Sequence, residues 1–104
     1  METLEKKEIL NELFDLYYLL LTEKQVSYFE LYYKEDYSLN EIAEMNKVSR
    51  NAVFDHLKKV EEHLFFYEEK LNLLNLAKKR KEIIDEIEKT NDLKLLNELR
   101  KLDE

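Results

Sequence analysis

Arg50, Asn51, Phe54, Asp55 and Lys58 recur at one-, three- and four-residue steps, so a helix through them carries all five on one side. The first two are the side-chain types that pair bidentately with base edges in a duplex major groove, Arg with guanine and Asn with adenine. Ser49 stands immediately before them. Lys47 and Lys59 flank the set at positions suited to phosphate contact, and Lys58 lies on the same outward face. Val53, Leu57 and Val60 interleave with these residues and give the same helix an opposite, apolar side.

Such a helix must be held at its start, and the preceding residues supply the means. Ser38 and Glu41 form an S-x-x-E capping box, which satisfies free amides at a helix N-terminus. Leu39, Ile42 and Ala43 then make one apolar face, and the small Ala43 allows a second helix to approach closely. Asn46-Lys47 is read as the turn, Val48 as a plug between the two helices, and Ser49 as the cap of the second helix. The whole stretch, Tyr37 to Val60, therefore reads as a helix-turn-helix, whose second helix enters the major groove with its N-terminal residues at base edges. Two short helices in an ordinary bundle, with Ser49 as a simple cap, would share part of this pattern. The double cap, Ala43 and the Val48/Val53 spacing favour the motif.

Composition narrows the class of molecule. The 104 residues contain no Gly and no Pro, which suits a wholly helical chain, since hairpin turns with positive φ lean on Gly. The absence of Cys removes disulfides, a thiolate nucleophile and a zinc-finger framework. No apolar run approaches the roughly 18 residues of a membrane span. The opening METLEKKE is too charged for a signal peptide, so a cytoplasmic protein without membrane insertion is expected.

The net charge of −7 argues against a general nucleic-acid binder, but its distribution is uneven. Residues 1–37 carry four basic and nine acidic groups, a balance of −5, whereas residues 38–60 balance to +1. Residues 61–77 balance to −3 and residues 78–104 to zero. The motif is the only net-positive block, so affinity from counterion release is expected to be modest and sensitive to salt.

Around the motif the chain reads as more helix. Residues 4–20 place Ile9, Leu10, Leu13, Phe14, Tyr17 and Leu20 at three- and four-residue steps. Thr22 with Gln25 makes a second capping box, starting a helix at Glu23 that runs to about Lys34. The seven tyrosines raise the idea of base stacking, yet Tyr17, Tyr28 and Tyr32 lie at core or boundary positions where rings supply packing area. Nothing halts the recognition helix after Val60, and it is expected to continue to about Leu73 with Leu64, Phe65, Tyr67 and Leu71 along its stripe. Some two dozen residues make about 36 Å of helix. Residues 64–77 then need a cover, either the C-terminal segment, a second copy, or both.

A further helix spans Asn75 to Lys89, with Leu76, Ile83, Ile84 and Ile87 inward. Its basic run Lys78–Lys81 is followed by Glu82 and Asp85 at i,i+4 spacing, which reads as a solvated, self-paired face. Thr90-Asn91-Asp92 breaks the chain before a last helix rich in leucine, Leu93, Leu95, Leu96, Leu99 and Leu102. Folding back on its own chain and pairing with a second copy both fit that pattern.

No catalytic constellation emerges: there is no Gly-rich phosphate loop and no Ser beside a His. His56 and His63 stand two turns apart, wider than the i,i+3 or i,i+4 pairs that chelate a metal. No enzyme activity, cofactor or metal is expected.

Residues Leu21–Leu64, LTEKQVSYFELYYKEDYSLNEIAEMNKVSRNAVFDHLKKVEEHL, resemble the YlxM family of small bacterial helix-turn-helix proteins. The LT-x-KQ, Y-x-EDYSL-x-EIA and VSR-x-AV-x-D motifs carry the likeness, and EEKLNLL with KRKEIIDEI extends it over most of residues 10–90. The motif itself is also similar to region 4 of sigma factors, which reads promoter DNA through its second helix. The resemblance implies a DNA-reading face on Ser49, Arg50, Asn51, Phe54 and Asp55. It further implies a link to the signal recognition particle, since these proteins are encoded beside its GTPase and a role in that targeting pathway, regulatory in kind, is proposed for them. The sequence departs from the family at Met45-Asn46-Lys47, where a phenylalanine usually precedes the final turn residue. Polar Asn46 is expected to loosen the packing between the two helices.

The expected fold is all-α: a sigma region 4-like helix-turn-helix bundle without a wing, a long recognition helix and extra C-terminal helices. A helix-turn-helix domain covers residues 1–74 with its motif at 38–60, and residues 75–104 form a helical extension and candidate dimerisation element. Two functions compete. One is a dimeric regulator bound to duplex DNA through Lys47, Ser49, Arg50, Asn51, Phe54, Asp55, Lys58 and Lys59. The other is an adaptor that binds the signal recognition particle's protein or RNA, with the motif a relic.

Overall fold

A computed structural model describes residues 3–104; of the N-terminal METLEKKE, Met1 and Glu2 lie outside the described residues. The architecture is all-α, with six α-helices among the described residues. They are α1 (Leu4–Tyr17), α2 (Glu23–Phe29), α3 (Leu39–Asn46), α4 (Arg50–Leu71), α5 (Leu73–Thr90) and α6 (Leu96–Lys101). No helix of the described residues is long and apolar enough to cross a membrane. The chain divides into two compact units, the first running to Lys70 and the second Leu71–Glu104. The domain boundary expected after Leu74 lies four residues beyond this division.

In the first unit, local chemistry fixes where each helix begins. Thr3 Oγ1 accepts from the Lys6 amide at 3.1 Å and starts α1. Thr22 and Gln25 close the expected box reciprocally at 3.1 and 2.9 Å and start α2. Leu10, Leu13, Phe14 and Tyr17 are the buried face of α1, and Phe14 stacks on Phe29 of α2 with ring centroids 4.2 Å apart. Ile9 and Leu20, read from spacing as part of this face, remain exposed. Leu20 is turned out because the chain tightens into a 3-10 turn over Tyr18–Leu20 before the Thr22 cap.

The helix expected to run unbroken to Lys34 changes character after Phe29. Glu30–Lys34 is a π turn, with the Glu35 amide donating to the Glu30 carbonyl at 2.9 Å. A π turn fits one more residue into the turn than an α-helix. Its effect is to hold three consecutive apolar residues, Leu31, Tyr32 and Tyr33, partly buried against the core beneath α3 and α4. Tyr33 stacks on Phe29 at 4.5 Å and meets Tyr32 edge-on at 4.9 Å.

Helix α4 is the long element of the first unit. Val53, Leu57, Val60 and Leu64 are its buried stripe, whereas Phe65 and Leu71, expected to extend that stripe, are exposed. Polar side chains tie α4 to α1 and α2. Tyr17, 1% exposed, donates its hydroxyl to Glu68 Oε1 at 2.6 Å, and the Tyr67 hydroxyl reaches the Leu20 carbonyl at 3.2 Å. Gln25 Nε2 and His63 Nδ1 lie 3.2 Å apart, and Lys6 pairs with Glu61. Asn72, in the left-handed region at φ 57°, separates α4 from α5.

In the second unit α6 packs back on α5 after a break at Asn91, again at φ 57°, and a 3-10 turn over Leu93–Leu95. Asp92 accepts from the Lys94 amide at 3.0 Å and starts that turn. Leu76, Ile83 and Ile87 are half-buried, as are Leu95, Leu99 and Leu102. Ile84, read from spacing as inward, is 39% exposed, and Leu93 and Leu96 are exposed as well. None of the unit's side chains is fully buried.

Candidate nucleic-acid interface

The caps and the buried faces of the helix-turn-helix are formed by the residues expected to form them, whereas Asn46, expected in the turn, is the last residue of α3. Ser38 Oγ accepts from the Glu41 amide at 3.1 Å, and the Ser38 amide donates to Glu41 Oε1 at 3.0 Å, so α3 begins on a complete capping box. These bonds from the Ser38 backbone and hydroxyl hold the Glu41 carboxyl below the usual carboxylate range. Helix α3 ends at Lys47, which takes the left-handed conformation, φ 54° and ψ 44°. The turn back lets the Val48 amide donate to the Ala43 carbonyl at 3.0 Å, the hydrogen bond that typically closes a helix C-terminus. Ser49 Oγ accepts from the Ala52 amide at 3.0 Å and caps α4. Lys47, Val48 and Ser49 are thus the whole turn.

Tyr28, Ile42, Ala43, Val53 and Leu57 form one buried cluster that locks α3 and α4 onto α2. Ala43 is 7% exposed, as the close approach of α4 requires. Two expectations at the turn are corrected. Val48 is not a buried plug: it is 37% exposed and is not a member of the buried cluster, against which Leu39 packs. Its backbone, not its side chain, does the structural work. Asn46 does not loosen the packing either, because it sits on the surface with Nδ2 donating to the Ile42 carbonyl at 2.8 Å while Ile42 stays fully buried.

The eight residues singled out from the sequence, Lys47, Ser49, Arg50, Asn51, Phe54, Asp55, Lys58 and Lys59, are all exposed. They do not form one uniform patch. At 3.6 residues per turn Asn51, Asp55 and Lys58 fall within an arc of about 60°, which makes them the crest of the outward face. Arg50 and Phe54 lie on one flank of that crest, Lys59 on the other. The Arg50 flank borders an open cleft of about 680 Å³, which Tyr32, Tyr33 and Leu39 line from α2's π turn and α3. Arg50, Asn51, Phe54 and Lys58 all reach into this cleft; Lys47, Ser49, Asp55 and Lys59 do not. The sequence reading missed Tyr32 and Tyr33 as neighbours of the recognition helix, because only the π turn brings both to this side.

Among the described residues, none of Lys47, Arg50, Lys58 and Lys59 is held in an ion pair. Their charge is therefore available to an incoming phosphate without first breaking an internal contact. Phe54, 51% exposed, is an apolar surface of the kind that meets a thymine methyl. Asp55 is the one anion on the crest. His56 is half-buried beside that surface: its ring packs on Tyr28 at 4.4 Å, and its Nε2 is buried with no hydrogen-bond partner among the described residues. Burial, and then the charges of Lys24 and Lys59, push the His56 pKa below its ordinary value.

Comparison with known proteins agrees with this construction. A sequence profile described as "Putative helix-turn-helix protein, YlxM / p13 like" matches residues 4–103. A UPF0122 protein of Bacillus licheniformis is 48% identical, over 97% of this chain and 99% of its own length. The UPF0122 protein YlxM of Bacillus subtilis is 52% identical over 82% of this chain and 77% of its own length. UPF0122 protein YofM of Lactococcus lactis is 44% identical over 95% and 91%. With a capped, three-residue turn between α3 and α4 and a profile match over nearly all its length, the chain belongs to the YlxM / p13-like family of helix-turn-helix proteins.

Proposed function

We propose that the chain is a regulatory DNA-binding protein that lays the N-terminal half of α4 into a duplex major groove. The observation that carries this reading is the set of cations around Asn51 on the capped start of α4, none of them in an ion pair among the described residues. Arg50 and Asn51 read base edges, Lys58 joins them from the crest, and Lys47 and Lys59 hold phosphates on either side. The protein acts as a homodimer, a reading supported by the second unit, whose leucine and isoleucine side chains are nowhere fully buried. A 34-residue helical pair of that kind gains too little from its own core to be stable without a covering surface.

With Lys47 and Lys59 on each protomer, the homodimer makes about four phosphate contacts. At about −0.9 per contact, affinity falls by roughly a hundredfold between about 50 and 200 mM salt. Arg50→Ala tests the reading by fluorescence anisotropy on a preferred duplex at low salt. A bidentate guanine contact is worth about 1–3 kcal/mol and its loss relaxes preference at one base position. Equal binding by wild type and variant would count against it.

A second reading is supported by the charge balance, which puts the acidic excess outside the motif. In it the protein is an adaptor in the signal recognition particle pathway, contacting the particle's protein or RNA. Co-purification with the particle that survives charge reversal at Arg50 and Lys58 would favour the adaptor over the DNA reader.

A further inference from the structure

A second concave surface shares no lining residue with the cleft beside α4. It is an open groove of about 480 Å³ between the 3-10 turn after α1 and the helix formed by α2 and its π turn. Leu19, Val26 and Leu31 give it an apolar lining, and Glu23, Glu30 and Glu35 are its charged members. Leu19 is 81% exposed, more than any other large hydrophobic side chain among the described residues, and Leu20 and Leu16 beside it are exposed too. The exposure has a local cause: the tightening of the chain before the Thr22 cap rotates Leu19 and Leu20 away from the core that holds Tyr17. Contiguous exposed leucine on a small protein is the usual mark of a contact surface.

The three glutamates of this groove form no ion pair among the described residues. Residues 1–37 balance to −5, and three of their four lysines make contacts with other residues. Lys34 pairs with Asp15 at 3.3 Å and lies over the Phe14 ring, Lys6 pairs with Glu61, and Lys24 lies over Tyr28. Glu23 and Glu30 stand seven residues apart, about 10 Å along a helix axis. That separation matches two basic side chains two turns apart on an opposing helix.

We propose that this groove is a docking surface for a cationic amphipathic helix of a protein partner. The helix lays its apolar face on Leu19, Val26 and Leu31 and sets Lys or Arg side chains against Glu23, Glu30 and Glu35. The sign of the charge excludes nucleic acid and anionic lipid as occupants. Because the groove is separate from the outward face of α4, a partner docks here while that face remains free.

The test titrates an 18-residue synthetic helix of leucine and lysine at amphipathic spacing into the ¹⁵N-labelled full chain, followed by NMR. A leucine–glutamate counterpart is the control. Amide shifts concentrated in residues 18–35 are expected for the cationic peptide and none for the anionic one. Glu23→Gln with Glu30→Gln and Glu35→Gln should weaken binding about tenfold, as three exposed ion pairs would. Leu19→Ser, a fully surface change, should weaken it independently. Failure to bind, shifts centred on the acidic residues of α4 instead, or unchanged affinity in both variants would overturn the proposal. So would occupation of the groove by a second copy of the chain, seen as shifts in residues 18–35 on simple dilution. Duplex binding measured on the same variants is expected to be unchanged, which separates this surface from the one on α4.

Discussion

Lys47 is the residue at which folding and the proposed function pull in opposite directions. It closes α3 in the left-handed conformation, at φ 54°, with its side chain exposed and in no ion pair among the described residues. That conformation costs a residue with a Cβ about 1–2 kcal/mol. Replacing Lys47 with Gly removes the cost but adds about 0.4–1 kcal/mol of unfolded-chain entropy. The exposed Lys47 side chain is in no ion pair among the described residues, so Lys47→Gly is expected to stabilise the chain by about 0.5–1 kcal/mol. For a chain of this size that raises Tm by roughly 4 °C. Lys47→Ala keeps the Cβ, gains no such relief, and should stay within about 0.5 kcal/mol of wild type. Urea and thermal unfolding followed by circular dichroism give both values. A Gly variant no more stable than the Ala variant would refute the account of the turn. In duplex binding, both variants lose the same cation, and each should flatten the dependence of log affinity on log salt by about 1 per protomer.

Tyr17→Phe removes the hydroxyl that donates to Glu68 across α1 and α4. A hydrogen bond to a charged acceptor contributes at least about 1.5 kcal/mol, so Tm should fall by roughly 6–12 °C, and a shift within error would contradict the role given to this bond. His56 carries a pH prediction. Its folded-state pKa lies below the ordinary 6.5 because burial, Lys24 and Lys59 disfavour the charged form. The unfolded chain therefore binds the proton first, so the stability is fully present above the ordinary value and is lost as pH falls through it toward the folded pKa. His56→Gln should flatten the stability profile as pH falls through the ordinary value of 6.5; an unchanged slope would assign the loss to other groups.

The helix-turn-helix was legible because its signals are local. Ser38 with Glu41, Ser49 as a cap, and the Ile42/Ala43 and Val53/Leu57 spacing each act within four residues, and each is found as read. What escaped depends on backbone states with weak residue signatures. In a chain without Gly, Lys47 supplies the left-handed residue, a conformation that Lys does not advertise. Asn72 and Asn91 do so with a residue type that tolerates it, and there the helix breaks fell within two residues of expectation. The π turn at Glu30–Lys34 has no pattern of its own, so the approach of Tyr32 and Tyr33 to Arg50 and Phe54 was invisible from periodicity. Periodicity likewise overestimated burial at Ile9, Phe65 and Ile84, since an apolar stripe shows which way a side chain faces but not whether anything covers it.

The most direct measurement of the central claim is selection of bound fragments from a random duplex DNA pool at about 50 mM salt, where phosphate contacts still hold. The account predicts enrichment of a defined motif, and for a homodimer a palindrome with half-sites about one helical turn apart. Recovery of fragments with no sequence in common, or of none, would contradict a DNA-reading role for α4 and leave the adaptor reading in its place.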